Sequence, residues 1–525
     1  MRAGRLALRL LLAGALSGGA YFAWISAVGS PSPVDLLPAG AFGVVEVRNA
    51  KGLANQLSGT RFASAFAKSA TRELLERTAA VQAFDSVLSE VERISGVSPG
   101  RGSAFDLLGA HAAIGWYFPA SGDTTAASWV AGGRLSVRAW VVATAMRLAR
   151  NFGLGATSVT RQEIAGRVLY SLAGGGGQSL HIFLAGRVLV GGPDRTLVEK
   201  AARAGGDAGA GLTREPAWQA IRGALPAHGE LFAWLRDVST IPGALTAGIA
   251  GHGSVGAQLR AGKTIEIDVA AEPASAMPAT KAAGSAPAPL PGIALLRQAP
   301  LFFLTSRESA PTALTDLLQS RLKAVVRRST GTSAPVTVIR PGSGYAVVIT
   351  DGAAGPGFFP APRGLVVIGT ASAAEAARAL PLLFPPGART GTGGGSRALA
   401  TRESFPLAGE FDLWGAAIGP QLVFATDTSL IDAAAADAGT VTTPHPGDPS
   451  WSVHTVASLS MVKALPLLRR WGAPLSGFVA ANWPQAPDST RDLGLLAAVD
   501  TVRVAAGSDD RFNRAAITIA VHDLH

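Results

Sequence analysis

Gly186-Arg187-Val188-Leu189-Val190-Gly191 reads as a short strand that runs at once into a helix over 194–204, and Arg363-Gly364-Leu365-Val366-Val367-Ile368-Gly369 stands in the same relation to a helix over 371–384. The two helices even share a pattern, Ala201-Ala202-Arg203 against Ala376-Ala377-Arg378. Similar segments in the same order suggest a repeated unit. Downstream, Gly229-Glu230-Leu231-Phe232-Ala233-Trp234 parallels Gly409-Glu410-Phe411-Asp412-Leu413-Trp414. Each half closes on an alternating strand, Ile265-Glu266-Ile267-Asp268-Val269 and Ile517-Thr518-Ile519-Ala520-Val521. Each also opens on a strand leading into a helix. In the first half Phe42 to Val47 is the strand, with Asn49 as helix cap; in the second, Leu301 to Leu304 precedes a helix over 310–328.

Between these landmarks the pattern calls for strands near 111–118, 127–136, 156–164, 166–173, 179–184 and 187–191. Helices are expected over 61–95, where Phe84, Leu88, Val91 and Ile94 recur at helical spacing, and over 137–151. Period-2 strands joined by hairpin-length turns such as Arg260 to Lys263 make antiparallel sheet, with the helices on its apolar side. The expected fold class is therefore α+β: two tandem related domains, each an antiparallel sheet with helices packed on one face, after an N-terminal transmembrane helix. Residues 31–272 form the first domain and 292–525 the second. Residues 273–291, rich in Pro, Ala and Ser, are the linker.

The N-terminus sets the compartment. Arg2, Arg5 and Arg9 lie in a basic segment over 1–9, and the uncharged run 10–28 follows. At ~1.5 Å per residue that run nearly matches a hydrocarbon core of ~30 Å. The arginines favour a cytoplasmic N-terminus, and Tyr21 and Trp24 suit the outer interface. A retained anchor is the expectation, with the bulk of the chain extracytoplasmic or periplasmic. Cleavage after Gly18-Gly19-Ala20 or Ala27-Val28-Gly29 would make the protein secreted. The chain has no cysteine, so disulfides, thiol catalysis, cysteine-held metals and lipoprotein acylation are all excluded.

Composition excludes further classes. The net charge of +10 invites a nucleic-acid reading, but the basic residues are scattered arginines and their densest groups are the pairs 327–328 and 469–470. Charged residues are only 16%, so Ala, Gly, Ser and Thr must cover much of the surface. The order of an anchor, a capped helix, the strand Arg187-Val188-Leu189-Val190-Gly191-Gly192 and the segment 212–234 (LTREPAWQAIRGALPAHGELFAW) resembles a bacterial envelope family known only as a domain of unknown function. The resemblance covers 35–272 best and 290–525 loosely. It implies an extracytoplasmic location and no assigned activity.

Motifs that spell catalysis lack their context. Ala257 to Thr264 fits a relaxed phosphate loop, but Thr264 opens a strand rather than a helix, which makes Lys263 a hairpin-turn residue. Gly251-His252-Gly253-Ser254-Val255-Gly256 spells a dinucleotide fingerprint with no helix after it, and reads as a glycine-rich turn. Ser460 and Lys463 have the spacing of a Ser/Lys acyl enzyme, although neither Ser-Asp-Asn nor Lys-Thr-Gly occurs and Ser460 also suits a helix cap. His445 and His454 flank a loop and lack further ligands for a metal. Asp509-Asp510 reads as a hairpin turn. Phe302-Phe303, Phe358-Phe359, Trp234 and Trp414 are candidates for an apolar cleft, or for ordinary core.

No catalytic, cofactor-binding or metal-ligating set is assigned. The expectation is a non-catalytic binding or scaffolding protein of the cell envelope, attached through residues 10–28, with no nucleic-acid or nucleotide partner. Its partner would be an envelope protein or a hydrophobic ligand. A carrier of lipid is the first alternative, and a Ser/Lys acyl enzyme centred on Ser460 and Lys463 is the second.

Overall fold

The structure is a computed structural model. It describes residues 30–58, 60–69, 72–73, 111–118, 128–136, 140, 159–173, 179–204, 211–227, 229–236, 252–273, 290–330, 341–353, 361–393, 395–405, 409–436, 451–466, 496–509 and 511–522. The described chain is mostly one large antiparallel sheet of twenty strands, which corrects the expected pair of tandem α+β domains. Residues 10–28 lie outside the described residues. Among the described residues no helix is long and apolar enough to cross a membrane.

The chain divides into two compact units, one mainly before residue 277 and the other mainly after it. In the first, the strands are β1 Gly43–Val47, β2 Ala112–Tyr117, β3 Ser128–Arg134, β4 Val159–Ile164, β5 Arg167–Ala173, β6 Ser179–Ala185, β7 Val188–Gly192, β8 Leu231–Leu235, β9 His252–Ala261 and β10 Thr264–Pro273. The helices are α1 Ala50–Ser58, α2 Arg61–Phe66 (grouped with the second unit), α3 Arg195–Ala204 and α4 Pro216–Ala224. Asn49 caps α1 as expected, its Oδ1 accepting from Gly52 N at 3.0 Å. Most of the helix expected over 61–95, and of that over 137–151, falls outside the described residues. Ladder pairing gives the order β4-β5-β6-β7-β3-β2-β1-β8-β9-β10.

The second unit contains β11 Phe302–Ser309, β12 Pro341–Ala353, β13 Ala361–Thr370, β14 Arg389–Gly393, β15 Ser396–Phe405, β16 Gly409–Ile418, β17 Gln421–Ala425, β18 Ser452–Ser460, β19 Val499–Ser508 and β20 Asn513–Val521. Its helices include α5 Thr312–Thr330, α6 Ala373–Leu382 and α7 Thr428–Ala436. Its strand order is β14-β15-β16-β17-β13-β12-β11-β18-β19-β20. Strand for strand, this is the order of the first unit. The segments paired by sequence are not the ones that share a place, however. β7 sits where β17 does, and β13 where β3 does. Only the opening strands and the closing strands were matched in register.

Helices do not keep to one face in the second unit, which corrects the one-faced arrangement. Phe303, Val348, Val367 and Val423 pack with Ile431 of α7 and with the 3-10 turn Ile293–Gln298. On the opposite face, Ile368, Leu422 and Phe424 pack with Leu322 of α5 and Leu380 of α6. Leu365 to Ile368 and Leu422 to Ala425 are unbroken apolar runs because both of their faces are buried.

In the first unit α4 is fixed by aromatics. Trp218 meets Phe232 edge-on at 5.1 Å and Trp234 at 5.5 Å, and all three rings are buried.

Candidate binding groove

The second unit carries an open groove of about 320 Å³ where α6 ends. Ser372 starts α6, its hydroxyl accepting from Glu375 N at 3.2 Å. Pro381 in the last turn, then Pro385-Pro386, cannot extend the helical hydrogen bonding, and Gly387 at φ +84° turns the chain into β14. This path leaves Leu382 44% exposed, an unusual state for a large apolar side chain here. Val325 of α5 and Leu399 of β15 complete an apolar lining, with the exposed Arg397 also on the wall.

The wall is held from behind. The Phe384 ring stacks near Phe424, and the Arg321 guanidinium lies over it at 5.4 Å. Arg321 also donates to the Leu383 carbonyl at 3.1 Å and to Glu403 at 2.9 Å. Gly415 is required beneath that ring, since a Cβ there would lie 2.5 Å from it. These contacts fix the backbone of 383–384 beside the groove and leave Leu382 to solvent.

β14 forms the edge beside the groove. Among the described strands it pairs with β15 only. The register Gly393↔Ser396 closes a two-residue hairpin. Such a closing pair is hydrogen-bonded and the pairs alternate from it, so Thr390 and Thr392 direct their N–H and C=O groups away from β15. Their cross-strand neighbours are Leu399 and Arg397, which places both threonines on the groove face.

A buried ionic network lies in the first unit, and sequence reading missed it. Glu46 is 1% exposed on the same face of β1 as Val44. His111 Nε2 lies 2.9 Å from Glu46 Oε1, and Arg48 Nε donates to the same oxygen at 3.1 Å. Arg222 of α4 stands 4.0 Å from Oε2, donates to Gln258 at 3.1 Å and stacks over Phe232. Burial alone would raise the Glu46 pKa, but the His111 hydrogen bond and the charges of Arg48 and Arg222 outweigh it and hold the carboxyl below its ordinary value. Glu46 is buried at its centre, Arg48 reaches it from a partly exposed position, and the network ties β1, β9 and α4 together.

The residues singled out from sequence are placed as follows. Ser460 ends β18 in register with Thr501, its N–H donating to the Leu301 carbonyl at 2.9 Å. Residues 461–466 are helical, and Lys463 Nζ donates to the Ala299 carbonyl at 2.6 Å. His454 lies within β18 with its Nε2 3.2 Å from Ser508 Oγ, and His445 lies outside the described residues. Lys263 falls between β9 and β10, in the hairpin. Residues 252–256 belong to β9, a strand where a glycine-rich turn was expected. Asp509 Oδ1 accepts from Arg511 N and Phe512 N, and Oδ2 from Arg514; Asp510 lies outside the described residues. Burial would raise the Asp509 pKa, but those N–H groups and the Arg514 guanidinium hold it below the ordinary value.

Of the apolar-cleft candidates, Trp234 and Phe303 are core, and Trp414 packs against the core with its ring over Gly391. Phe358 and Phe359 lie outside the described residues. The groove instead uses Phe384, which sequence reading did not single out.

His181 is a second buried titratable group that sequence reading left unassigned to any site. Its Nδ1 lies 2.7 Å from Ser171 Oγ and its Nε2 3.1 Å from Ser179 Oγ. Burial, aided by the Arg195 charge, lowers its pKa against the pull of Asp194 and Glu199.

Comparison with known protein families, with curated proteins and with solved structures finds no match, so the resemblance noted over 35–272 and, loosely, 290–525 has no family match behind it.

Proposed function

We propose that this chain is a non-catalytic binding or scaffolding protein of the bacterial envelope, attached to the cytoplasmic membrane through residues 10–28 with its bulk outside. The groove below α6 is the observation that carries the reading. It joins an exposed large apolar side chain, Leu382, to a rigid wall and a sheet edge with its backbone groups turned outward. The polar clusters are spent internally: Glu46 on arginines and histidine, Lys463 on a carbonyl, His181 on two serines. A groove of about 320 Å³ is at the lower end of ligand pockets, which run roughly 300–1,000 Å³. That size suits a few side chains of a partner better than a whole lipid.

The test is a photo-crosslinking residue at Leu382 in cells expressing the full chain. A discrete adduct with an extracytoplasmic protein, found in the membrane fraction, is expected. Adducts with lipid alone would favour the carrier. Acylation of Ser460 by a β-lactam, or hydrolysis of envelope substrates lost in Ser460→Ala, would overturn the non-catalytic reading.

A further inference from the structure

Edge strands of the two units are treated differently. β4, at the end of the first unit's order, exposes Arg161, Gln162 and Glu163, and Arg195 holds the Gln162 side chain. Charged side chains along an edge discourage pairing with another strand. β14 holds the same place in the second unit and reads Arg-Thr-Gly-Thr-Gly. Its one charge, Arg389, is taken up by Asp412 of β16. Among the described residues this edge therefore has no charge left to ward off another strand, and it runs beside the groove.

We infer that β14 and the groove together bind an extended protein segment that alternates apolar and acidic residues, adding it to the sheet as a further strand. The inference rests on the binding reading above and specifies its partner. Main-chain pairing to Thr390 and Thr392 supplies affinity, as in other strand-addition modes, and alternate side chains enter the groove. Apolar ones meet Leu382 and Leu399. Charge sets the other preference: residues 384–399 contain no carboxylate, and of their two arginines Arg389 is already paired with Asp412. Arg397 reaches the groove from the strand beside Thr392. An Arg–carboxylate contact there orients the segment and excludes basic ones.

The experiment uses the full chain in mild detergent and two fluorescent eight-residue peptides, one alternating Val with Glu and the other Val with Lys. Fluorescence anisotropy should show saturable binding of the glutamate peptide only. Thr392→Pro removes one outward N–H at a position where an edge tolerates proline, and should weaken binding roughly tenfold or more. Arg397→Glu should weaken the glutamate peptide similarly and admit the lysine peptide. Unchanged melting of Arg397→Glu keeps the test valid if Thr392→Pro disturbs folding. Equal binding of both peptides, or indifference to both variants, overturns the inference. Binding of labelled palmitate that the glutamate peptide cannot displace overturns it also. So does peptide-free self-association abolished by Thr392→Pro, since the occupant would then be a second copy. A Leu382 adduct with an envelope protein alongside failed peptide binding would sink this inference and leave the binding reading standing.

Discussion

Replacing Glu46 by Gln tests whether the buried network holds the first unit together. The change keeps shape and removes charge. The wild-type carboxylate accepts from Arg48 at 3.1 Å and meets His111 at 2.9 Å, with Arg222 4.0 Å from its second oxygen. After substitution Oε1 can still accept, but Arg222, already partly desolvated over Phe232, loses its carboxylate counter-charge while keeping its hydrogen bond to Gln258. The new amide N–H₂ stands where a carboxylate oxygen met the Arg222 guanidinium, and so sets a donor against a donor. Removing one member of a buried charge pair costs about 3–5 kcal/mol. Arg48 is 39% exposed and Arg222 17%, so solvent screens part of this, and about 2–3 kcal/mol is expected. At ~2–4 °C per kcal/mol for a unit of this size, melting should fall by roughly 4–12 °C.

The acid limb gives an independent check. The folded pKa of Glu46 is below its unfolded value, so its contribution is complete above the unfolded pKa, near 4.5, and is lost as pH falls through the folded value. Stability of the wild type relative to Glu46→Gln should therefore be constant above about pH 5 and shrink below about 4.5. Chemical denaturation of both proteins from pH 3 to 8 by tryptophan fluorescence reads this directly. A variant within about 0.5 kcal/mol of wild type at pH 7, or a difference that grows on acidification, would refute the reasoning.

Trp218→Ala should cost about 3–5 kcal/mol by denaturant unfolding, since the buried ring contacts Phe232 and Trp234 and its loss unpins α4. Trp218→Phe should recover a large part of that. Asp509→Asn should cost about 1–3 kcal/mol, because Arg514 loses its carboxylate and the β19–β20 turn loses charge-assisted acceptors; slower hydrogen exchange in that hairpin would contradict this. Gly192→Ala should lower melting markedly, because its Cβ would lie 2.5 Å from the Trp129 carbonyl, backbone that cannot turn aside; a neutral result in differential scanning fluorimetry would disprove the close approach.

Local elements were legible where one physical signal dominated. The helix expected over 194–204 is α3 Arg195–Ala204, and the strand expected over 166–173 is β5 Arg167–Ala173. Their neighbours in sequence supply both period and punctuation. β14 was invisible because its glycines are poor strand formers and its threonines set up no apolar alternation, and only its hairpin with β15 makes it a strand. The Glu46 network was invisible for another reason: its members stand at 46, 48, 111, 222 and 258, and register alone brings them together. One local sign existed, a glutamate on the same strand face as Val44. A charge on a buried face must find partners from other elements, so it marks a meeting point before the partners are known.

The mismatched halves teach the sharper lesson. β7 and β13 look alike in sequence because each is a central strand feeding directly into a helix, and that local duty selects Val, Leu and a closing Gly wherever it occurs. Likeness of that kind reports what a strand does, whereas its place in the sheet is set by its partners. Helices on both faces of the second unit follow from the same distinction. A strand covered on one side can alternate, but Leu365 to Ile368 does not, and four apolar residues in a row have no solvent face to spend on. β14 carries the opposite composition, small and polar with outward backbone groups, where an edge would ordinarily be guarded. Both departures from simple alternation therefore locate something: the apolar runs mark where two layers meet, and the bare edge marks where a further strand can be added.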